Sequence, residues 1–231
     1  MGSAYWQGFR AGAPFVLVVA PFGLLFGVVA TEAGLDIFQT MAMTVLVIAG
    51  ASQFAAVQLL ADGAPVFIAV LTGLAVNMRM AMYSAALTPH LGKAGLWKRA
   101  LVSYFMVDQT YAVSVAKYEQ QPKMGMAEKL AFYFGAVTPI CPLWYGFTYV
   151  GVVAGAAIPP EYALDFAVPI TFIALVAPSM RSLPHLAAAF VSVTVSLALA
   201  WMPYNSWLLI AAVMAMMTGA ALEKRLGKQH E

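Results

Sequence analysis

Charged side chains are scarce in this chain. Asp, Glu, Lys and Arg together make up 10% of its 231 residues, whereas they make up about a quarter of soluble globular domains. Apolar residues make up 62%, and the mean hydropathy is +0.82. This balance argues against a soluble domain and predicts an all-α polytopic membrane protein with one transmembrane domain over residues 1–231. No basic run exceeds a pair, so lipid is the expected contact and nucleic acid is not.

Cysteine, histidine and paired acids are too few for several kinds of site. The single cysteine, Cys141, cannot form an intrachain disulfide. The three histidines, His90, His185 and His230, lack metal-ligand spacing, so we expect neither a metal nor a cofactor. A membrane protease would need a central histidine or paired intramembrane aspartates, and only Asp108 lies well inside an apolar window. We therefore expect no enzymatic activity.

Eight apolar windows are long enough, or nearly so, to span a membrane as helices: residues 13–30, 38–61, 65–87, 100–116, 130–156, 163–178, 186–201 and 206–222. Their uniform apolar character is typical of helices and not of the alternating strands of a membrane barrel. The expected fold is a bundle of about six to eight helices.

Loop charges suggest that some of these helices are broken or re-entrant. Counting lysines and arginines favours an even number of spans and a cytoplasmic N-terminus, but it leaves Lys93, Lys98 and Arg99 on the outer side. The small and polar residues at 50–53 in the second window and at 108–110 in the fourth are the expected breaks.

Four prolines lie inside apolar windows and predict helix breaks: Pro21, Pro139, Pro142 and Pro169. Each removes a backbone hydrogen bond, and broken helices often frame transporter sites, although an ordinary packing kink is the alternative. The run Gly27-Val-Val-Ala is repeated at Gly151 at a similar distance from a preceding proline. This echo predicts a possible internal repeat, but apolar sequence also produces such echoes by chance.

Arg79 and Asp108 are the charges deepest in their windows. An arginine at mid-membrane costs roughly 2.5–3.5 kcal/mol on insertion scales, so a partner, a cavity or a substrate must compensate it. A static salt bridge between the two is one reading. In the other, a substrate carboxylate or a proton releases one partner, because a guanidinium suits carboxylates and a carboxylate in a low dielectric is readily protonated.

Three neutral polar residues accompany these charges in windows two and three. Ser52 and Gln53 lie among small residues, and Asn77 lies two positions before Arg79. Such residues can simply join helices, or they can form a cavity wall that holds a small zwitterion.

Four segments in order resemble the hallmark segments of the AzlC family: residues 21–27, 49–54, 77–84 and 108–112. That family comprises the large subunits of bacterial branched-chain amino acid exporters. The resemblance implies a cytoplasmic-membrane permease that exports leucine, isoleucine, valine and related hydrophobic amino acids, with the proton as coupling ion and a small AzlD-like subunit as partner. Ser52, Gln53, Asn77, Arg79 and Asp108 are its expected substrate-binding or coupling residues.

Two positions depart from the family pattern. Many relatives carry a histidine where this chain has Met80 and a glutamate where it has Gln109. Both changes remove an ionisable group, so proton coupling would rest largely on Asp108. The alternatives to an exporter are a non-transporting structural subunit and a passive channel, although the chain shows no repeated charged ring of the sort that pores use.

Overall fold

The computed structural model describes residues 2–157, 180, 182–203 and 206–227. This part contains helices and no strand, which confirms the all-α fold. Within it, four helical stretches are long and apolar enough to cross a membrane: Gly2–Glu32, Val66–Leu91, Met126–Gly155 and Trp207–Leu226. The sixth apolar window and Pro169 lie outside the described residues.

The described α-helices are numbered here in chain order. They are α1 (Gly2–Gly12), α2 (Val16–Glu32), α3 (Ile37–Leu46), α4 (Gly50–Ala61), α5 (Val66–Asn77), α6 (Arg79–Leu91), α7 (Leu96–Tyr104), α8 (Asp108–Gln120), α9 (Met126–Val137), α10 (Cys141–Gly155), α11 (Leu183–Ala198) and α12 (Trp207–Gly227). A 3-10 turn at Ala13–Phe15 joins α1 to α2.

The described residues form two compact units. One comprises residues up to 54 and residues 76–157, and every candidate site residue lies in it. The other comprises residues 55–75 and the described residues from 180 onward, where α11 packs against α12. Whether the chain is one transmembrane domain stays a prediction.

The first unit contains two long stretches that pack side by side, α1 on α9 and α2 on α10. We call these four helices the paired-helix region. Glycines bring the backbones together: a Cβ on Gly8 would collide with the carbonyl oxygen of Phe132, and one on Gly135 with that of Tyr5. Gly135 follows Gly8 by 127 positions, and Phe132 follows Tyr5 by the same number, so the contacts are reciprocal.

The same reciprocity holds between α2 and α10. A Cβ on Gly27 would collide with the carbonyl oxygen of Thr148, and one on Gly151 with that of Leu24. In both pairs the later residue follows its counterpart by 124 positions. Reciprocal contacts characterise a two-fold interface, and small residues allow such close helix packing in membranes. This geometry supports the internal repeat that the glycine echo suggested.

One of the helix breaks predicted at a proline is absent from these helices. Pro21 lies inside the continuous helix α2, so the predicted break at Pro21 is wrong. A membrane helix can absorb the loss of one hydrogen bond with a gentle bend. The interruption lies instead at Ala13–Phe15, which contains Pro14. Pro139 lies in the turn between α9 and α10, and Pro142 lies in the first turn of α10.

Windows two and four are interrupted, as the sequence predicts, but each break lies just before the expected residues, since 50–53 and 108–110 form the first turns of α4 and α8. Residues 47–49 separate α3 from α4, and residues 105–107 separate α7 from α8. One residue of each break has an extended backbone: Val47 has φ −132° and ψ 95°, and Val107 has φ −122° and ψ 161°. We call α3, the first turn of α4, and α6 to α8 the broken-helix region.

Candidate functional site

Tyrosine hydroxyls bond to backbone carbonyls of the helices that end at the two breaks. The Tyr104 hydroxyl at the end of α7 donates to the carbonyl oxygen of Val45 in the last turn of α3, at 2.6 Å. The Tyr133 hydroxyl of α9 donates to the carbonyl oxygen of Val102 in α7, at 2.8 Å. A helix that ends inside a membrane leaves its last carbonyls without backbone partners, and leaving them unpaired in hydrocarbon is costly. The tyrosines therefore stabilise the broken helix ends and place one break beside the other.

Each new helix starts with a side chain that folds back on the residue before it. In α4, the Gln53 carbonyl accepts from the Ala49 N–H at 3.3 Å, and the Ser52 hydroxyl donates to the Ala49 carbonyl at 2.9 Å. In α8, the Thr110 hydroxyl accepts from the Val107 N–H at 3.1 Å. These bonds satisfy groups that the breaks would otherwise leave unpaired. Both breaks are consequently built and held by local sequence.

Arg79 and Asp108 form an ion pair in the broken-helix region. The Arg79 Nη1 atom lies 3.0 Å from Asp108 Oδ2. Arg79 lies near the middle of the candidate span Val66–Leu91, and a charge at the middle of a membrane-spanning helix is costly. Asp108 is the first residue of α8, where the positive end of the helix dipole favours a carboxylate.

This pair is open on one side. The side chains of Arg79 and Asp108 are 30% and 41% exposed, so the protein does not enclose them as it would a purely structural bridge in a core. Two of their other polar atoms, Arg79 Nε and Asp108 Oδ1, are buried and have no hydrogen-bond partner among the described residues. The pair thus has unused donor and acceptor capacity at these buried atoms, while other parts of both side chains are exposed.

Aromatic stacking continues the contact between α6 and α8. The rings of Tyr83 and Tyr111 lie 4.0 Å apart between centroids at an interplanar angle of 13°. Tyr83 lies one helical turn after Arg79, and Tyr111 lies one turn after Asp108, so the stack and the ion pair share one interhelical seam. The stack fixes the distance between the helices that carry the two charges.

The three neutral residues predicted for the site differ in their surroundings. Ser52 and Gln53 are buried, at 2% and 0% exposed, and each bonds to Ala49. The Gln53 Nε2 atom and the Asn77 Oδ1 atom are buried without a hydrogen-bond partner in the described part of the chain. The structure brings Arg79 to Asp108 and leaves Asn77 at the end of α5, directly before the helix that carries Arg79. A common binding role for all five stays a prediction.

Comparison with known proteins identifies the family. The family model described as AzlC protein matches residues 14–158, which include both breaks and the ion pair. The chain belongs to the AzlC family. Members of this family are membrane proteins associated with transport.

Relatives of this AzlC protein are also named as membrane proteins. An uncharacterized membrane protein of Archaeoglobus fulgidus is 28% identical over 220 residues, which cover 90% of each chain. The inner membrane protein YgaZ of Escherichia coli is 26% identical over 187 residues, which cover 78% of this chain and 75% of YgaZ. No solved structure matches the chain.

Sequence reasoning missed the tyrosines that hold this AzlC site. The sequence pattern assigns no individual role to Tyr104, Tyr83 or Tyr111, since tyrosines of membrane proteins often fill the core or anchor at its surface. Tyr83 and Tyr111 do lie inside the two family segments that contain Arg79 and Asp108, which is a usable signal. The partner of Tyr104 lies 59 positions away, and no local pattern reveals it.

Proposed function

We propose that this AzlC protein is a secondary transporter that exports branched-chain and other hydrophobic amino acids across the bacterial cytoplasmic membrane. The observation that carries the proposal is the accessible ion pair between Arg79 and Asp108 at the start of a broken helix. Family membership supports transport as its class.

The Arg79 guanidinium supplies the carboxylate recognition in this proposal. Its planar fork can donate two parallel hydrogen bonds to a carboxylate. In the resting pair it contacts Asp108 through Nη1, and its Nε has no partner among the described residues. A substrate carboxylate that approaches from the open side replaces Asp108 as the anion beside Arg79.

Asp108 supplies the proton coupling. Once a substrate carboxylate occupies Arg79, the Asp108 carboxylate loses its cation in a medium of low dielectric constant. Protonation then removes an unpaired charge, and loss of the proton restores the pair after the substrate has left. With Met80 and Gln109 in place of ionisable residues, Asp108 is the one carboxyl group in segments 77–84 and 108–112 and is assigned this step.

A small membrane subunit similar to AzlD completes the proposal. Large apolar side chains on α2, α6 and α7 are exposed, among them Leu17 at 82%, Met82 at 66% and Trp97 at 82%. Such surface must be covered by lipid or by another membrane protein. In this proposal the small subunit covers part of that surface. The proposal also has the N-terminus of this chain on the cytoplasmic side.

Efflux after peptide loading tests the function. Cells that lack the protein and its small subunit are loaded with a leucine dipeptide, which internal peptidases hydrolyse, and internal leucine is followed with time. We expect cells that express both subunits to clear leucine several-fold faster, and a proton uncoupler to remove the difference. Equal clearance in both strains for leucine, valine, isoleucine and methionine would contradict the proposal.

Conservative variants separate the two roles. Arg79→Lys keeps the charge but not the planar fork, so the substrate concentration at half-maximal rate should rise about tenfold or more. Asp108→Asn keeps the shape but cannot titrate, so net export against a gradient should stop while substrate exchange persists. A variant pair with identical losses in both assays would argue against separate roles.

A further inference from the structure

A cleft lies between α6 and α7 and reaches the loop that joins them. Its volume is about 620 Å³, within the range of about 300–1,000 Å³ that small-molecule sites occupy. Its lining comes from residues between Ser84 and Met106, all in one compact unit of the protein.

One end of the cleft is lined by residues that lie close to the candidate site along the chain. Ser84 follows Arg79 by five residues on α6, and Met106 belongs to the break that ends two residues later at Asp108. The cleft thus lies on the chain segments next to Arg79 and Asp108, although neither residue is part of its lining.

The other end of the cleft, next to the loop between α6 and α7, is cationic. Lys93, in the loop, and Arg99, in α7, both line it and are exposed. The described part of the lining contains no acidic residue. An anionic group that approaches this end meets two positive charges without a competing carboxylate in the wall.

One wall between the two ends is apolar. Leu87 and Leu91 of α6 line the cleft and are each 3% exposed, so they are fixed in place by packing. The hydroxyl of Thr88, between them, donates to the Ser84 carbonyl at 2.7 Å and is thereby occupied. A molecule with one carboxylate and one apolar side chain matches cationic residues at one end and leucines along the wall.

We propose that this cleft is the aqueous vestibule through which the transported amino acid moves between the Arg79–Asp108 pair and the Lys93–Arg99 end. The inference rests on the function proposed above and deepens it. Lys93 and Arg99 raise the local concentration of the carboxylate, and the leucine wall favours an apolar side chain. Amino acid amides, which lack the carboxylate, are poor ligands of this route.

Thiol labelling tests whether the vestibule holds water. Cys141 is 0% exposed, which gives a native background of low reactivity. Ser103 lines the cleft and is exposed, so Ser103→Cys should react with a charged, membrane-impermeant methanethiosulfonate at least tenfold faster than Leu17→Cys, whose position is exposed on the apolar helix α2. Saturating leucine should slow the reaction several-fold, and leucinamide should not. Equal rates for the two variants would overturn the vestibule.

Charge removal tests the cationic end. In vesicles at low ionic strength, Arg99→Gln should raise the leucine concentration at half-maximal flux about threefold to tenfold and leave the maximal rate within about twofold, since steering acts on encounter. Lys98→Gln is the matched control because Lys98 lies next to Arg99 and does not line the cleft. Equal values for Arg99→Gln and Lys98→Gln would overturn the assigned role.

The two proposals fail in different ways. Absence of leucine flux in the unmodified protein overturns the proposed export and with it the cleft as its route. Normal flux after complete modification of Ser103→Cys by a bulky reagent overturns the vestibule alone. Loss of flux on modification, together with protection by leucine, supports both.

Discussion

The paired-helix region and the broken-helix region differ in how their helices pack and in how their backbone polar groups are satisfied. In the first, glycines such as Gly27 and Gly151 bring backbones into contact, and every turn near them is helical. In the second, helices stop in mid-window, tyrosine hydroxyls satisfy freed carbonyls, and an ion pair lies partly exposed. This difference indicates that the paired-helix region is a rigid frame and that the broken-helix region, which contains the candidate site, is adaptable. Changes in the frame should affect stability first, and changes in the site should affect transport first.

The largest stability effect is expected in the frame. Gly27→Ala or Gly151→Ala would place a Cβ against a backbone carbonyl that cannot move without separating α2 from α10. We expect each to lower the free energy of unfolding by about 2–3 kcal/mol, measured by thermal unfolding of the purified protein in detergent.

Gly146→Ala is the control for this prediction. Gly146 also lies in α10, and a Cβ there would have no neighbour within 4 Å among the described residues. Alanine favours helix over glycine, so stability should stay equal or rise slightly. Equal losses at Gly27 and Gly146 would remove the distinction between a tight frame and an ordinary helix.

The contact that joins the two breaks should matter less for stability than the glycine contacts and more for transport. Tyr104→Phe leaves the Val45 carbonyl without its hydroxyl donor. We expect a loss of about 1 kcal/mol in the free energy of unfolding and a loss of at least tenfold in leucine flux, because the breaks are no longer held together. The control is Tyr149→Phe, since that side chain is 51% exposed on α10. A Tyr104→Phe protein with normal flux would show that the junction does not position the site.

The smallest effect on stability is expected from the stacked tyrosines. Tyr111→Leu keeps apolar volume but removes the ring that lies on Tyr83. Aromatic pairs contribute about 0.5–1.5 kcal/mol beyond burial, so thermal unfolding should change little, while leucine flux should fall about threefold to tenfold. Tyr111→Phe keeps the stack and should restore flux. Failure of phenylalanine to restore flux would assign the role to the hydroxyl instead.

The sequence predicts the site better than the frame. A small or polar residue in an apolar window is conspicuous, so the interruptions near Gly50 and Asp108 follow from local pattern. Proline position was a poorer guide, because α2 continues through Pro21. A missing hydrogen bond does not by itself end a membrane helix.

Long-range contacts account for what the sequence could not predict. The reciprocal glycine contacts join positions 121 to 130 residues apart, and only the weak Gly27 and Gly151 echo suggested them. Pairing of Tyr104 with Val45 depends on where two chain breaks meet, which no periodicity specifies. Arg79 and Asp108 are candidates for pairing on the sequence alone, because an unpaired charge inside a membrane is costly, and the structure brings them within 3.0 Å.

Exchange of the two charges tests the central claim most directly. The double variant Arg79→Asp with Asp108→Arg can still form an ion pair between α6 and α8, but each charge now lies on the other helix. We predict that it folds with a stability within about 1 kcal/mol of the unmodified protein and assembles normally, yet exports no leucine in vesicles with an imposed pH gradient. Directional export at the unmodified rate would contradict the account and would leave the pair as a structural bridge.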